Sequence, residues 1–121
     1  MKLKLLGPTF AVCRLSPADP TPEWPRGEFV SISRTPAELS VVCDQVHVPA
    51  DVRAERDWRC FEVEGPIPFE LVGLAARITK ALAEARISVF FVSTFDTDYV
   101  MVRSASVDAA ITALRSARFD L

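Results

Sequence analysis

Glycine, histidine and cysteine are all scarce in this 121-residue chain, at four, one and three residues. There is no G-x-G-x-x-G or phosphate-cradling loop, and no serine sits in a G-x-S-x-G elbow, so nucleotide binding and serine-hydrolase chemistry lack their scaffolds. The single histidine, His47, has no Cys, Asp or Ser pattern beside it and reads as a solvated loop residue rather than a metal ligand or base. Cys13, Cys43 and Cys60 are odd in number and widely spaced, without a C-x-x-C pair or a histidine partner. Each lies in an apolar, strand-like run, so they read as small core residues kept reduced. No pair of carboxylates has a spacing that singles it out for acid–base work. The expectation is therefore a non-enzyme with no catalytic residue, no metal and no cofactor.

Neither sign of charge dominates. Fourteen Lys and Arg stand against sixteen Asp and Glu, a formal net charge of −2, and no basic stripe is present of the kind that displaces counterions from phosphates. Nucleic acid is excluded as a partner on that ground. No stretch approaches the roughly 20 apolar residues of a membrane span. The opening Met-Lys-Leu-Lys-Leu-Leu starts like a signal peptide, but Gly7 and Pro8 cut the apolar run short. The chain is expected to be soluble and cytoplasmic, with no membrane partner.

What is present is a sizeable apolar complement, half of all residues, sufficient for a core. The length fits one compact unit or two small halves sharing a core. Eight phenylalanines are spread so that no long segment lacks a candidate anchor. Phe10–Leu15 alternates as a strand and leads into SPADPTPEWPRGE, where four prolines forbid a helix and Trp24 is the expected anchor. Strands at Phe29–Arg34 and Leu39–Cys43 flank the turn Thr35-Pro36-Ala37-Glu38 and form a hairpin. Pro49–Glu55 is expected to make a helical turn or two, with Arg53, Glu55, Arg56 and Asp57 in a solvated turn, and Trp58–Val63 to be a strand. From Phe69 onward, Leu71, Leu74, Ala75, Ile78, Leu82 and Ala85 recur at spacings of three and four, the pattern of an amphipathic helix. Ile87–Ser93 and Tyr99–Val102 are apolar on both faces, as central strands are. Ser104 or Ser106 caps a last helix carrying Val107, Ala110, Ile111 and Leu114, and Phe119 ends the chain as a docking residue or short strand.

The two parts echo one another: FVSISRT followed by LSVVC parallels FVSTFDT followed by YVMV. A degenerate duplication follows, with residues 1–57 as one half, interrupted by the Pro-rich loop 16–28, and residues 58–121 as the other. The order β-α-β-β-α with a possible final strand predicts an α+β, ferredoxin-like fold with helices on one face of an antiparallel sheet.

The segments PEW, FVSISRTPAELSVVC and GPIPFELVGLAARITKALAEARISVFFVSTFDTDYVMV, with the closing helix, make the chain resemble the small bacterial tandem ACT-domain proteins. These are similar to the ACT domains of the eukaryotic cytosolic arginine sensors. The resemblance covers nearly the whole chain. It implies paired βαββαβ modules that bind an amino acid, assemble as dimers or larger species and regulate a partner protein. It also implies glycine where this chain has Arg86. A left-handed cap there would cost a non-glycine residue roughly 1 kcal/mol, so the helix is expected to end without one.

Candidate ligand-binding residues fall in three places. Asp98 follows the STFDT turn, where a carboxylate can hold an ammonium or guanidinium group; the resemblance adds Thr94 and Phe95. Asp96 and Asp98 are also readable as residues that merely set the turn, Asp96 more so than Asp98. Pro68, Phe69 and Gly73 open the long helix, whose unsatisfied N–H groups suit a ligand carboxylate; Gly73 either admits the ligand closely or permits helix packing. Ser33 and Thr35, with Glu38 and Ser40, could complete a site at the seam between halves or at a dimer interface, or could serve only as turn residues. The reading is a regulatory amino-acid sensor, expected as a homodimer. The alternative is a protein–protein interaction module with a vestigial pocket.

Overall fold

The computed structural model describes residues 1–121. In chain order the elements are β1 (Leu3–Leu5), β2 (Phe10–Leu15), β3 (Ser31–Arg34), β4 (Leu39–Asp44), β5 (Arg53–Val63), α1 (Leu74–Glu84), β6 (Phe90–Ser93), β7 (Asp98–Arg103) and α2 (Val107–Ser116). Short 3₁₀ turns occupy Gln45–His47 and Ser104–Ser106. The chain divides into two compact units, Pro8–Trp58 and Met1–Gly7 with Arg59–Leu121. Strand β5 contributes residues to each.

In the unit Pro8–Trp58, β3 and β4 form the expected hairpin, with Arg34 opposite Leu39 and Ser33 opposite Ser40. Strand β2 pairs antiparallel with β4 on one side and with β5 on the other. Ala11, Cys13, Val41, Cys43 and Val48 form a buried cluster, and Trp24 packs against it as the anchor of the proline loop. Arg34 secures the same loop, its guanidinium donating to the carbonyls of Pro17 at 2.7 Å and Asp19 at 2.9 Å. Burial pushes the Cys13 thiol from 9.0 up to about 11, and Cys43 rises for the same reason, so both stay protonated.

Two expectations fail here. The helical turn predicted over Pro49–Glu55 lies earlier, at Gln45–His47, where Asp44 caps it by accepting from the Val46 N–H. Arg53, Glu55, Arg56 and Asp57 belong to β5 rather than to a turn. Pairing of Arg53, Ala54 and Glu55 with β2 supplies backbone hydrogen bonds that local charge density does not advertise. The register slips between Phe10 and Val12, Asp57 takes a φ of 66°, and the Gln45 side-chain amide clasps Asp57 through its N–H and carboxylate.

The unit formed by Met1–Gly7 and Arg59–Leu121 is an α+β, ferredoxin-like fold with strand order β1–β5–β7–β6. Its fourth strand position is filled by the N-terminal strand β1, antiparallel to β5, which sequence reading does not anticipate. The chain end docks beside it: Phe119 is buried, and Leu3 N–H donates to the Asp120 carbonyl at 2.7 Å. Leu3, Phe61, Val63, Val100 and Val102 point to the helices and meet Leu74, Ile78, Leu82, Ala110 and Leu114. Residues two apart on a strand share a face, and residues four apart on a helix share a stripe, so these alternations build one core. Strand β7 is buried on both faces, as expected, but β6 lies at the edge of the order and its phenylalanines are half-buried. Its three apolar residues reflect covered side chains, not strands on both sides.

Helix α1 begins at Leu74, later than the expected start at Phe69. Pro66 and Pro68 remove donors, and Gly73 takes a φ of 90°, so residues 66–73 form a strap ahead of the helix. Leu71, expected on the buried stripe, is exposed. At the other end, Arg86 adopts the left-handed conformation that its identity argued against, with a φ of 60°. The reason is hydrogen bonding: Ile87 N–H reaches the Leu82 carbonyl at 2.9 Å and Arg86 N–H reaches Ala83 at 2.9 Å, a complete Schellman cap. Arg118 ends α2 the same way, with a φ of 71°. Replacing Arg86 by glycine is expected to raise stability by about 0.5–1 kcal/mol, after the greater freedom of glycine in the unfolded chain is subtracted. Urea denaturation of the two proteins checks it; a lower midpoint for the variant would contradict the cap.

Candidate ligand-binding site

The β6–β7 hairpin and the strap before α1 are tied to each other at their bases. Ile67 N–H donates to the Asp96 carbonyl at 2.7 Å, and the Thr97 hydroxyl, buried, donates to the Val63 carbonyl at the end of β5. Gly65 completes the contact. A Cβ there would lie 2.9 Å from the Asp96 carbonyl oxygen and 3.1 Å from Thr97 Cβ, so only glycine allows the approach. Within the strap, Leu71 N–H donates to the Pro68 carbonyl at 3.1 Å.

Above this base the two segments part and leave a pocket of about 250 Å³. Pro68, Phe69 and Gly73 form one wall, Thr94, Phe95, Asp96 and Asp98 the other, with Ser93, Ile67, Leu74 and Ala75. Seven of the residues singled out from sequence thus meet in one concavity. Ser33 and Thr35 do not line it; they lie exposed in the other unit, where the Thr35 hydroxyl accepts from the N–H groups of Ala37 and Glu38. Ser93, Ile67 and Thr97 were not singled out, although all three stand inside the quoted segment.

The chemistry of the walls is uneven. Asp96 and Asp98 are the only ionisable side chains lining the pocket, and no Lys, Arg or His joins them. Asp98 enters neither the Lys2–Glu64 nor the Lys80–Glu84 ion pair. Its carboxylate accepts from the Ser93 hydroxyl at 2.7 Å. Asp96 fixes the strap through its backbone carbonyl. The Thr94 hydroxyl is spent on the turn, donating to the Thr97 carbonyl at 3.1 Å. On the opposite wall α1 starts from Gly73 with no side-chain cap, so the N–H groups of its first turn are unspent. Phe69 and Phe95, 74% and 79% exposed, meet edge to face at the mouth, with ring centroids 5.0 Å apart. Such a pocket offers a carboxylate to a cation, backbone donors to an anion and aromatic edges to an aliphatic chain. Nearby on the sheet, burial and a hydrogen bond to Glu62 push Tyr99 from 10.0 up to about 12, so it stays a neutral donor.

A larger groove of about 500 Å³ runs between α1 and α2, lined by Ala81, Ala85, Ala113 and Ala117 with Arg77, Lys80, Glu84 and Ser116. None of the hairpin or strap residues reaches it.

The family model for the ACT domain matches residues 53–116, from the start of β5 to the end of α2. The chain belongs to the ACT-domain family. A second family model, described as an N-terminal domain, matches residues 8–51. Among curated proteins, this ACT-domain chain is similar to the human "Cytosolic arginine sensor for mTORC1 subunit 1" (Homo sapiens), at 29% identity over 106 residues, 81% of the chain and 32% of that protein. The Bos taurus protein of the same name is 30% identical over 95 residues, 72% of the chain and 29% of its own length. The chain spans about a third of the length of these curated relatives. Among solved structures, an Agobacterium tumefaciens protein is 39% identical, with a TM-score of 0.93 over 99% of this chain and 90% of its own. The ligand-free regulatory subunit of aspartate kinase from Thermus thermophilus shares the fold at 10% identity, with a TM-score of 0.67 and 97% of each chain covered. No helix is long and apolar enough to cross a membrane.

Proposed function

We propose that this ACT-domain protein is a regulatory sensor that binds a free amino acid in the pocket between the β6–β7 hairpin and the start of α1. The observation that carries the reading is Asp98, a carboxylate without an ion-pair partner, across one small pocket from an uncapped helix start. Asp98 receives the ammonium or guanidinium group, and the first-turn N–H groups beyond Gly73 receive the α-carboxylate. Pro68, Phe69 and Phe95 cover the aliphatic part, while Thr94 and Asp96 hold the hairpin in shape. The name of the curated relatives makes L-arginine the first candidate. Occupancy acts by favouring one conformation or assembly over another, for which a coupling of about 1–3 kcal/mol suffices. We place the working species as a homodimer that a partner protein reads. The shared turn geometry of the two hairpins supports treating residues 1–57, apart from strand β1, which pairs in the other unit, as a degenerate ACT-like half, with Thr35 in a turn-setting role.

Calorimetric titration with each of the twenty amino acids tests this. Saturable heat from at least one, competing for a single site, is the expected result; no heat and no thermal shift from any would overturn the sensor reading. One observation favours the interaction-module alternative, the exposure of Phe69, Leu71 and Val72 together on the strap, with exposed Phe95 against Phe69. The same titrations separate the two, since an adaptor with a vestigial pocket gives none of these heats.

A further inference from the structure

We infer that Ser93 is the positioning residue of this site, holding the Asp98 carboxylate in place as a receptor for a cationic group; the inference rests on the amino-acid-binding reading above. Ser93 and Asp98 are directly opposite one another, the last pair of the β6–β7 ladder before the turn. The serine hydroxyl donates to Asp98 Oδ1 at 2.7 Å, while Asp98 Oδ2 is left for another donor.

The β3–β4 hairpin, first in the chain, says what this pair is not for. Around Thr35 the turn is built as it is around Thr94: the threonine N–H reaches the carbonyl three residues on, at 2.9 Å for Thr35 to Glu38 and 2.8 Å for Thr94 to Thr97. In both, the threonine hydroxyl bonds back across the turn. Yet the pair flanking the first turn is Arg34 opposite Leu39, with no hydroxyl and no carboxylate. The turn therefore closes without a Ser–Asp pair. Asp98 makes no side-chain bond to the turn backbone, and the contact with Ser93 serves the carboxylate itself.

The choice of a hydroxyl also has a consequence. A lysine or arginine at position 93 would orient Asp98 equally well, but would cancel its charge and occupy the place of a ligand cation. A serine donates one hydrogen bond and leaves the negative charge whole. With no cationic side chain lining the pocket, the class of ligand that fits is one with an ammonium or guanidinium group; a dicarboxylate without one meets two aspartates and no counter-charge.

Calorimetry on the full chain tests the role, with L-arginine as probe and, should wild type give no heat with it, the tightest binder among the twenty amino acids in its place. Ser93→Ala is expected to weaken binding about tenfold, and Ser93→Thr, which keeps the hydroxyl, to restore it to within about twofold. Added to Asp98→Asn, Ser93→Ala is expected to cost less than about twofold more, because the amide that the serine still holds is no longer a charged receptor for the ligand cation. A purely structural role for the serine would give losses that add. Ser93→Cys, close in shape but a weak donor, should fall between wild type and alanine, and serves if the alanine variant does not fold. Wild-type affinity in Ser93→Ala, or full additivity with Asp98→Asn, overturns the inference while leaving amino-acid binding intact. A wild-type protein that binds none of the twenty removes both.

Discussion

Substituting Asp98 by asparagine is expected to weaken binding of a cationic amino acid about a hundredfold while leaving the thermal midpoint within about 2 °C of wild type. Asparagine keeps the shape of the side chain and its acceptor oxygen, so Ser93 retains a partner and the hairpin retains its turn. Only the charge goes. Hydrogen bonds to charged groups contribute about 1.5–3 kcal/mol, roughly twice what neutral pairs do, and removing one partner leaves the ligand cation facing a neutral amide in a pocket that holds only Asp96 as a second acid. The stability forecast follows from the Thr35 turn, which closes without an aspartate at the matching position. Calorimetry with L-arginine gives the first quantity and differential scanning the second. A loss below threefold in a well-folded variant would mean that the ligand cation is bound elsewhere; a large fall in midpoint would mean that Asp98 is part of the fold after all.

Elements whose periodicity is enforced by one strong face were legible in the sequence. Leu74, Ile78 and Leu82 of the α1 stripe and the pair Ala110, Leu114 are buried as read, while Ala75 and Ala85 of the same stripe stay exposed, and β2 spans Phe10–Leu15 as expected. What escaped were features decided by distant backbone. Strand β1 is three residues long and pairs with residues some sixty positions away, so nothing local marks it. The charged start of β5 reads as loop because each charged side chain can reach water while its peptide groups pair with β2. The strap was absorbed into α1 because Phe69 and Leu71 continue the helical spacing; the prolines at 66 and 68 and the conformation of Gly73 override it.

The pocket was legible for a related reason. Its two walls are contiguous stretches, Pro68–Gly73 and Thr94–Asp98, and each carries recognisable polar or turn chemistry. Their meeting was not, since it depends on Gly65 passing against the Asp96 carbonyl and on the Thr97 hydroxyl reaching β5. Ser93 was passed over because a serine at a strand end has no local signature; only the cross-strand register gives it Asp98 as a partner.

The phenylalanines, alike in sequence as candidate anchors, divide sharply in the structure, and the division sets the largest stability effect to be expected. Phe61 is 0% exposed, on the helix-facing side of β5 opposite Leu5, within a cluster drawn from β1, β5, β7 and both helices. Phe61→Ala is expected to cost about 3–5 kcal/mol, transfer of the ring plus the cavity it leaves among neighbours that cannot all collapse inward. That is a large share of the roughly 5–15 kcal/mol that holds a typical domain folded. Phe69→Ala, by contrast, removes a side chain that already faces water and touches chiefly Phe95, and should change stability by less than about 1 kcal/mol. Urea denaturation followed by far-UV circular dichroism measures both. Comparable losses from the two would mean that the strap is packed onto the body; a small loss at Phe61 would mean that the core lies elsewhere than on the helix-facing side of β5.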